Sequence, residues 1–141
     1  MRIMAIDYGD AHTGIAVSDP TGFLAGFTTV IDAYRPDIVA DRIAALAREH
    51  GAERLVLGHP INMDGTRGPR SEKAQAMRQL LEETTGLPVV LWDERRTTID
   101  AHQILFNSGK NAKKRKKVVD AVAASLILEG YLTYLKNHPE G

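Results

Sequence analysis

The sequence predicts an α/β domain built on a mixed five-stranded sheet with helices on both faces, and three observations predict it. Two short apolar runs, residues 3–6 and 15–17, enclose a turn region with two glycines. From residue 36 onward, segments with one apolar stripe alternate with short apolar runs. The 141 residues contain no internal repeat, low-complexity linker or second composition regime, so a single domain covering 1–141 is expected. Consecutive strands joined by tight turns pair antiparallel, whereas strand–helix–strand crossovers force parallel pairing. The expected sheet is therefore a three-strand antiparallel meander continued by parallel strands.

The elements follow in order. Residues 3–6 (Ile-Met-Ala-Ile) suit a strand covered on both faces, and Asp7 stands where that strand leaves the core. The stretch 7–14, Asp-Tyr-Gly-Asp-Ala-His-Thr-Gly, reads as a hairpin loop leading to a second strand at 15–17. Gly9 and Gly14 permit dihedrals that other residues resist and let a ligand approach the backbone. After the Asp19-Pro20-Thr21-Gly22 turn, residues 24–31 read as a third strand. Pro36 opens a helix to about residue 50, with Ile38, Val39, Ile43 and Leu46 as its apolar stripe and Gly51 as its stop. Residues 54–58 form a short buried-type strand, followed by a loop over 59–70. A second helix is expected over about 71–85, with Ala74, Met77, Leu80 and Leu81 inward and Gly86 as its stop. The fifth strand, 88–92, runs into Asp93-Glu94-Arg95-Arg96. Thr97 or Thr98 caps a third helix that ends over 107–111. The basic run 113–117 then leads into a last helix over about 117–136.

Composition narrows the function. Eighteen Lys and Arg balance 18 Asp and Glu, so no global field favours nucleic acid and local clustering must make that case. With no cysteine there is no disulfide, thiolate chemistry or cysteine-based zinc site. The five histidines, at 12, 50, 59, 102 and 138, show no metal-ligand spacing. No leading segment has the form of a signal peptide and no apolar run spans a bilayer, so a soluble cytoplasmic protein without a membrane partner is expected.

The last helix carries the chemical signal. Residues 118–128 are apolar nearly all round apart from Asp120 and Ser125, as in a helix packed on most sides. An ionised carboxylate there is costly unless something pairs with it. Two accounts stand. Asp120 lies in the first turn and is compensated by the helix dipole and by Lys116 or Lys117, or it faces other carboxylates across a divalent metal. Asp7 and Glu94 occupy comparable places, after the first and fifth strands. Asp7 also has a second account, as a side chain capping its own turn. Carboxylates gathered beyond strand ends repel one another, and a hard cation with oxygen ligands removes that repulsion. Two such ions would hold an in-line attack on a phosphodiester.

Four stretches carry a resemblance: Asp7-Tyr-Gly with Gly14-Ile-Ala-Val-Ser-Asp19; Gly58-His-Pro-Ile-Asn-Met-Asp-Gly65; Trp92-Asp-Glu-Arg95 with Thr97-Thr98; and Val119-Asp-Ala-Val-Ala-Ala124. In this order, over nearly the whole chain, they resemble the YqgF/RuvX family. Its members are ribonuclease H-like proteins described as Holliday-junction resolvase homologues and as nucleases of 16S ribosomal RNA precursors. The resemblance implies a ribonuclease H-like fold. It also implies an acidic catalytic site that binds Mg2+ or Mn2+ through Asp7, Glu94 and Asp120, with Asp93 as stand-in or supplement to Glu94. Strand alternation puts Asp93 and Glu94 on opposite sides, and the longer Glu94 is favoured as the ligand.

Basic and polar residues around these positions suit a nucleic-acid partner. Asn62, Arg67 and Arg70 in the 59–70 loop can meet substrate phosphates, or the loop is a plain connection with an Asp-Gly turn. Arg95 and Arg96 can clamp a phosphate or pair with helix acids. Lys113, Lys114, Arg115 and Lys116 form the strongest basic cluster and suit backbone binding. Structured RNA is the favoured partner, with branched DNA as the alternative, and the protein is expected as a monomer or homodimer. Three other functions compete. Cleavage of four-way DNA junctions favours a dimer with two sites. A phosphate-loop nucleotide-binding module, which Asp7-x-Gly-x-x-x-x-Gly14 resembles, needs two related domains and a second such loop, and in a chain this short without a repeat it is not expected. A non-catalytic RNA-binding assembly factor binds without metal.

Overall fold

In the computed structural model, residues 1–19, 25–60, 68–93 and 112–138 are described, the side chains of 25 and 112–120 excepted. The strands are β1 (Ile3–Asp7), β2 (His12–Ser18), β3 (Ala25–Asp32), β4 (Arg54–His59) and β5 (Val89–Asp93). The helices are α1 (Pro36–His50), α2 (Pro69–Thr85) and α3 (Ala112–Asn137). The sheet order is β3-β2-β1-β4-β5. Both β1–β2 and β2–β3 pair antiparallel, and β1–β4 and β4–β5 pair parallel. This is the mixed sheet expected from the hairpin and crossover pattern.

Strand alternation divides the core in two. Met4, Ile6, Ile15, Val17, Leu55, Leu57 and Val89 pack against Val39, Ala40 and Ile43 of α1 and Ala74, Met77 and Leu81 of α2. On the other face Ile3, Ala5, Ala16, Val56 and Trp92 pack against Ala124, Ile127, Leu128 and Tyr131 of α3. Helices thus cover both faces.

The helix boundaries follow local chemistry. In α1, Pro36 sits at the start, where its missing N–H costs nothing, and Gly51 closes the end at φ 68°. In α2, Gly86 adopts φ 70° and donates its N–H to Glu82. These two are the only glycines with positive φ among the described residues. Gly9 therefore does not serve through a left-handed dihedral. A Cβ at Gly9 would lie 2.3 Å from the His12 carbonyl oxygen, so closure of the β1–β2 hairpin excludes a side chain there.

The last helix corrects the sequence reading. It begins at Ala112, not near 117, so the basic run is helical rather than a connecting loop. Lys and Arg are good helix formers and no Gly or Pro interrupts the run, so the apolar segment extends backward through it. The third helix expected over 97–111 lies outside the described residues. None of the described helices is long and apolar enough to cross a membrane.

Candidate active site

Strands β1, β4 and β5 are parallel, so their carboxyl ends share one edge of the sheet. Ile6 pairs with Leu57, Gly58 with Trp92 and His59 with Asp93, which brings Asp7, His59 and Asp93 to that edge. In open α/β sheets this is the edge where sites form. Alternation then assigns faces. Asp7 continues the side of Ile3 and Ala5, toward α3, whereas Asp93 continues the side of Val89 and Leu91, toward α1 and α2. Asp7 is half-buried, and its partner across the β1–β2 ladder is Gly14, which leaves no side chain beside the carboxylate on β2.

Helix α3 can approach this face closely because Ala5 and Ala16 are small and fully buried beneath it. The Tyr131 hydroxyl accepts a hydrogen bond from Arg54 Nη1 at 2.8 Å. Arg54 opens β4 at the opposite edge of the sheet. The later half of α3 therefore lies toward that edge, and its earlier turns run toward the edge of Asp7. Asp120 is one helical turn before Ala124, at the spacing of the positions that pack on the sheet. It is also about two turns inside α3, where the helix dipole has faded. The account of Asp120 as a first-turn charge thus loses its premise.

The β1–β2 loop is tied to neighbouring elements. Lys73 Nζ of α2 donates to Asp10 Oδ1 at 2.9 Å. This bond and the Lys73 charge, with a smaller contribution from Arg70, hold the Asp10 carboxyl below its usual range. Burial, and then the Asp10 charge, push the Tyr8 phenol up. Arg70 is exposed in the first turn of α2, close enough to act on Asp10, and so stands near the edge that carries Asp7. On the far side of the hairpin, His12 Nδ1 and Asp32 Oδ1 are 2.6 Å apart. The Ala33 N–H donates to the Ala11 carbonyl, and Arg42 Nη1 donates to the Asp32 carbonyl. His59 Nε2 and Ser71 Oγ meet at 2.6 Å in a buried contact between β4 and α2, and Gln75 Nε2 also donates to Ser71 Oγ.

Of the residues singled out from sequence, Asp7, Asp93 and Arg70 stand at or near this edge. Glu94, Asn62, Arg67, Arg95 and Arg96 lie outside the described residues. Lys113, Lys114, Arg115 and Lys116 occupy the first turns of α3, and their side chains, like that of Asp120, are outside the description. Among the described residues no three His, Cys, Asp or Glu side chains gather to hold a metal. The His12–Asp32 pair was not legible in sequence. Its members are 20 residues apart, and only the β2–β3 register makes them partners.

Known structures share this architecture. RuvC of Thermus thermophilus, in complex with a Holliday junction substrate, superposes with TM-score 0.63 at 15% identity, covering 95% of this chain and 96% of that one. A second structure of Thermus thermophilus RuvC gives 0.58 at 16% identity, over the same shares of the two chains. The fold is therefore of the RuvC, ribonuclease H-like class. Sequence comparison narrows the class. The profile of the family described as "RuvX: Holliday junction resolvase" matches residues 1–134. A protein of Halothermothrix orenii is 42% identical over 134 residues, 95% of this chain and 96% of its own. One from Listeria monocytogenes is 46% identical over 134 residues, 94% and 97% of the two chains. One from Bacillus subtilis is 43% identical over 137 residues, 96% and 99% of the two. Their names mark them as proposed pre-16S rRNA nucleases. The chain belongs to the RuvX family, and with it to the nucleases, hydrolases of nucleic-acid ester bonds.

Proposed function

We propose that this protein is a divalent-metal-dependent nuclease that trims the ends of the 16S ribosomal RNA precursor during ribosome biogenesis. The observation that carries the reading is the placement of Asp7. It lies at the carboxyl edge of the sheet, on the face covered by α3, with position 120 one turn before the packed Ala124. The choice of substrate is supported by relatives named for pre-16S rRNA, matched over nearly their full length. Asp7, Glu94 and Asp120 would hold Mg2+ or Mn2+. The donor set fits: it is made of carboxylate oxygens, the ligands of hard cations, and Gly14 leaves room beside Asp7. Alternation supports Glu94 over Asp93 as the second ligand, since Asp93 continues the opposite face. When bound, the metal supplies an activated water and charge stabilisation at the phosphate.

The chain's own residues do the rest. Asp7 fixes the position of the site through a strand paired on both sides. Arg70, with Asn62, Arg67, Arg95 and Arg96, would hold the phosphates flanking the scissile bond, and Lys113, Lys114, Arg115 and Lys116 those further along. The partner is structured RNA, and the protein works in the cytoplasm, where precursor RNA is made.

The family description favours a second reading, resolution of four-way DNA junctions. Symmetric cuts then require a homodimer rather than a monomer. One experiment tests both: purified protein with labelled precursor RNA or a four-way DNA junction, in Mg2+, Mn2+ or EDTA, with the mass in solution measured in parallel. Metal-dependent cutting of RNA by a monomer supports the first reading. Paired cuts in the junction by a dimer support the second. Binding without cleavage in any metal would leave an assembly factor and overturn both.

A further inference from the structure

We propose that His12, oriented by Asp32, is a catalytic proton donor to the departing oxygen of the scissile phosphodiester; the proposal rests on the nuclease reading above. His12, Gly14 and Ala16 share the α3 face of β2, because Ile15 and Val17 occupy the other. Asp7 is paired with Gly14, so His12 is its diagonal neighbour on the same face, roughly 7–8 Å away. The imidazole, turned to Asp32 on the outer side of β2, thus shares the α3 face and the carboxyl edge of the sheet with that carboxylate.

The pair is well held. His12 and Asp32 are direct partners in the β2–β3 ladder, and Nδ1 meets Oδ1 at 2.6 Å. The Ala33–Ala11 hydrogen bond and the Arg42 contact to the Asp32 carbonyl fix the backbone on both sides. A carboxylate only accepts, so Nδ1 carries the proton it shares with Asp32, and Nε2 is the ring nitrogen left to exchange protons with a substrate. The His12 side chain is 26% exposed: seated in the fold, yet open to a ligand.

The chemistry leaves a role for it. Carboxylates at Asp7, Glu94 and Asp120 would be ionised on a metal and hold no proton to give. Among the described basic side chains near this edge, the Arg70 guanidinium does not release one, and Lys73 is engaged by Asp10. An alkoxide is a poor leaving group without a proton. As the water oxygen bonds to phosphorus, the bond from phosphorus to the departing oxygen breaks. Its electron pair stays on that oxygen, which takes the Nε2 proton of the imidazolium. The proton of the attacking water passes to solvent, and the imidazole regains its own from solvent.

The test compares two leaving groups. A labelled precursor RNA is prepared with a 2′-deoxy nucleotide at the cut site. A second copy has sulfur in place of the departing bridging oxygen, identified from the product ends. Thiolate departs without a proton. Under single turnover in Mg2+, His12→Ala should slow cleavage of the oxygen linkage by about 10²–10⁴-fold and leave the sulfur linkage within a few-fold of wild type. Asp32→Asn should show a smaller loss with the same rescue, as expected of a positioning residue. Binding of the uncut RNA in EDTA should be unchanged, which also shows that the variants fold. Equal losses on both linkages, or no loss on either, would overturn the proposal and leave the nuclease reading standing. Failure of wild type to cut either linkage would overturn the nuclease reading and this proposal with it.

Discussion

The two faces of the sheet are built from the same strands and do different work. Toward α1 and α2 the strands present Met4, Ile6, Ile15, Val17, Leu55 and Leu57, large side chains locked between two helices. That face ends at the carboxyl edge in a closed polar contact, His59 with Ser71. Toward α3 the same strands present Ala5 and Ala16 beneath one helix, with Trp92 edge-on to Tyr131 at 5.7 Å. That face ends in Asp7 and the half-open His12–Asp32 pair. One face holds the sheet together, and the other brings a helix close to a carboxylate. Alternation along β1 makes the division, since Met4 and Ile6 face one way and Ile3, Ala5 and Asp7 the other.

If the division is right, substitutions on the two faces should fail differently. The largest effect is predicted for Asp7→Asn. Loss of a charge that would hold metal should reduce single-turnover cleavage by about three orders of magnitude or more, while the urea midpoint of the apo protein stays level or rises as like-charge repulsion is relieved. Glu94→Gln and Asp120→Asn should behave alike, and Asp93→Asn, on the other face, should cost less. A fully active Asp7→Asn protein would remove the catalytic assignment of that face.

On the opposite face, Leu57→Ala should destabilise by about 2–5 kcal/mol in urea unfolding, because Leu57 is fully buried and its truncation leaves a cavity in the core. Catalysis by the remaining folded fraction should be near normal. Ser71→Ala should cost less, about 1–3 kcal/mol, by removing the hydroxyl that both His59 and Gln75 contact. If its activity fell further than its stability, the scaffold face would also be shaping the site.

Two smaller effects sharpen the comparison. Replacing Lys113, Lys114, Arg115 and Lys116 by Ala should flatten the salt dependence of RNA binding. The log–log slope should drop by roughly 0.7 per lost contact on a single strand or 0.9 on duplex. An unchanged slope would make these first turns of α3 a solvated stretch. The smallest change concerns Tyr8, whose phenol is raised chiefly by burial. A folded-state value above the unfolded one means the unfolded chain loses its proton first as pH climbs. Stability from this group is therefore complete below the unfolded value near 10 and is lost as pH rises through the folded one. Tyr8→Phe should flatten the alkaline limb of a melting-temperature profile, and an unaltered limb would show that Tyr8 plays no part in it.

The sequence by itself determined the architecture and the place of Asp7 at the end of a buried strand. Local patterns sufficed: apolar runs of strand length, Pro36 opening α1, Gly51 and Gly86 closing α1 and α2, and an acidic residue at the end of a buried strand. These are nearest-neighbour effects of backbone sterics and hydrophobic period, so they survive without tertiary context. It misjudged the start of α3, because a charge run reads as solvated loop until the helix behind it is known to be packed. Tertiary structure alone decided which face each strand residue serves, and so separated Asp93 from Asp7. It also joined His12 to Asp32 across a hairpin and set α3 over two alanines. Register and face depend on pairing between distant segments, and a one-residue slip in pairing would reverse every assignment.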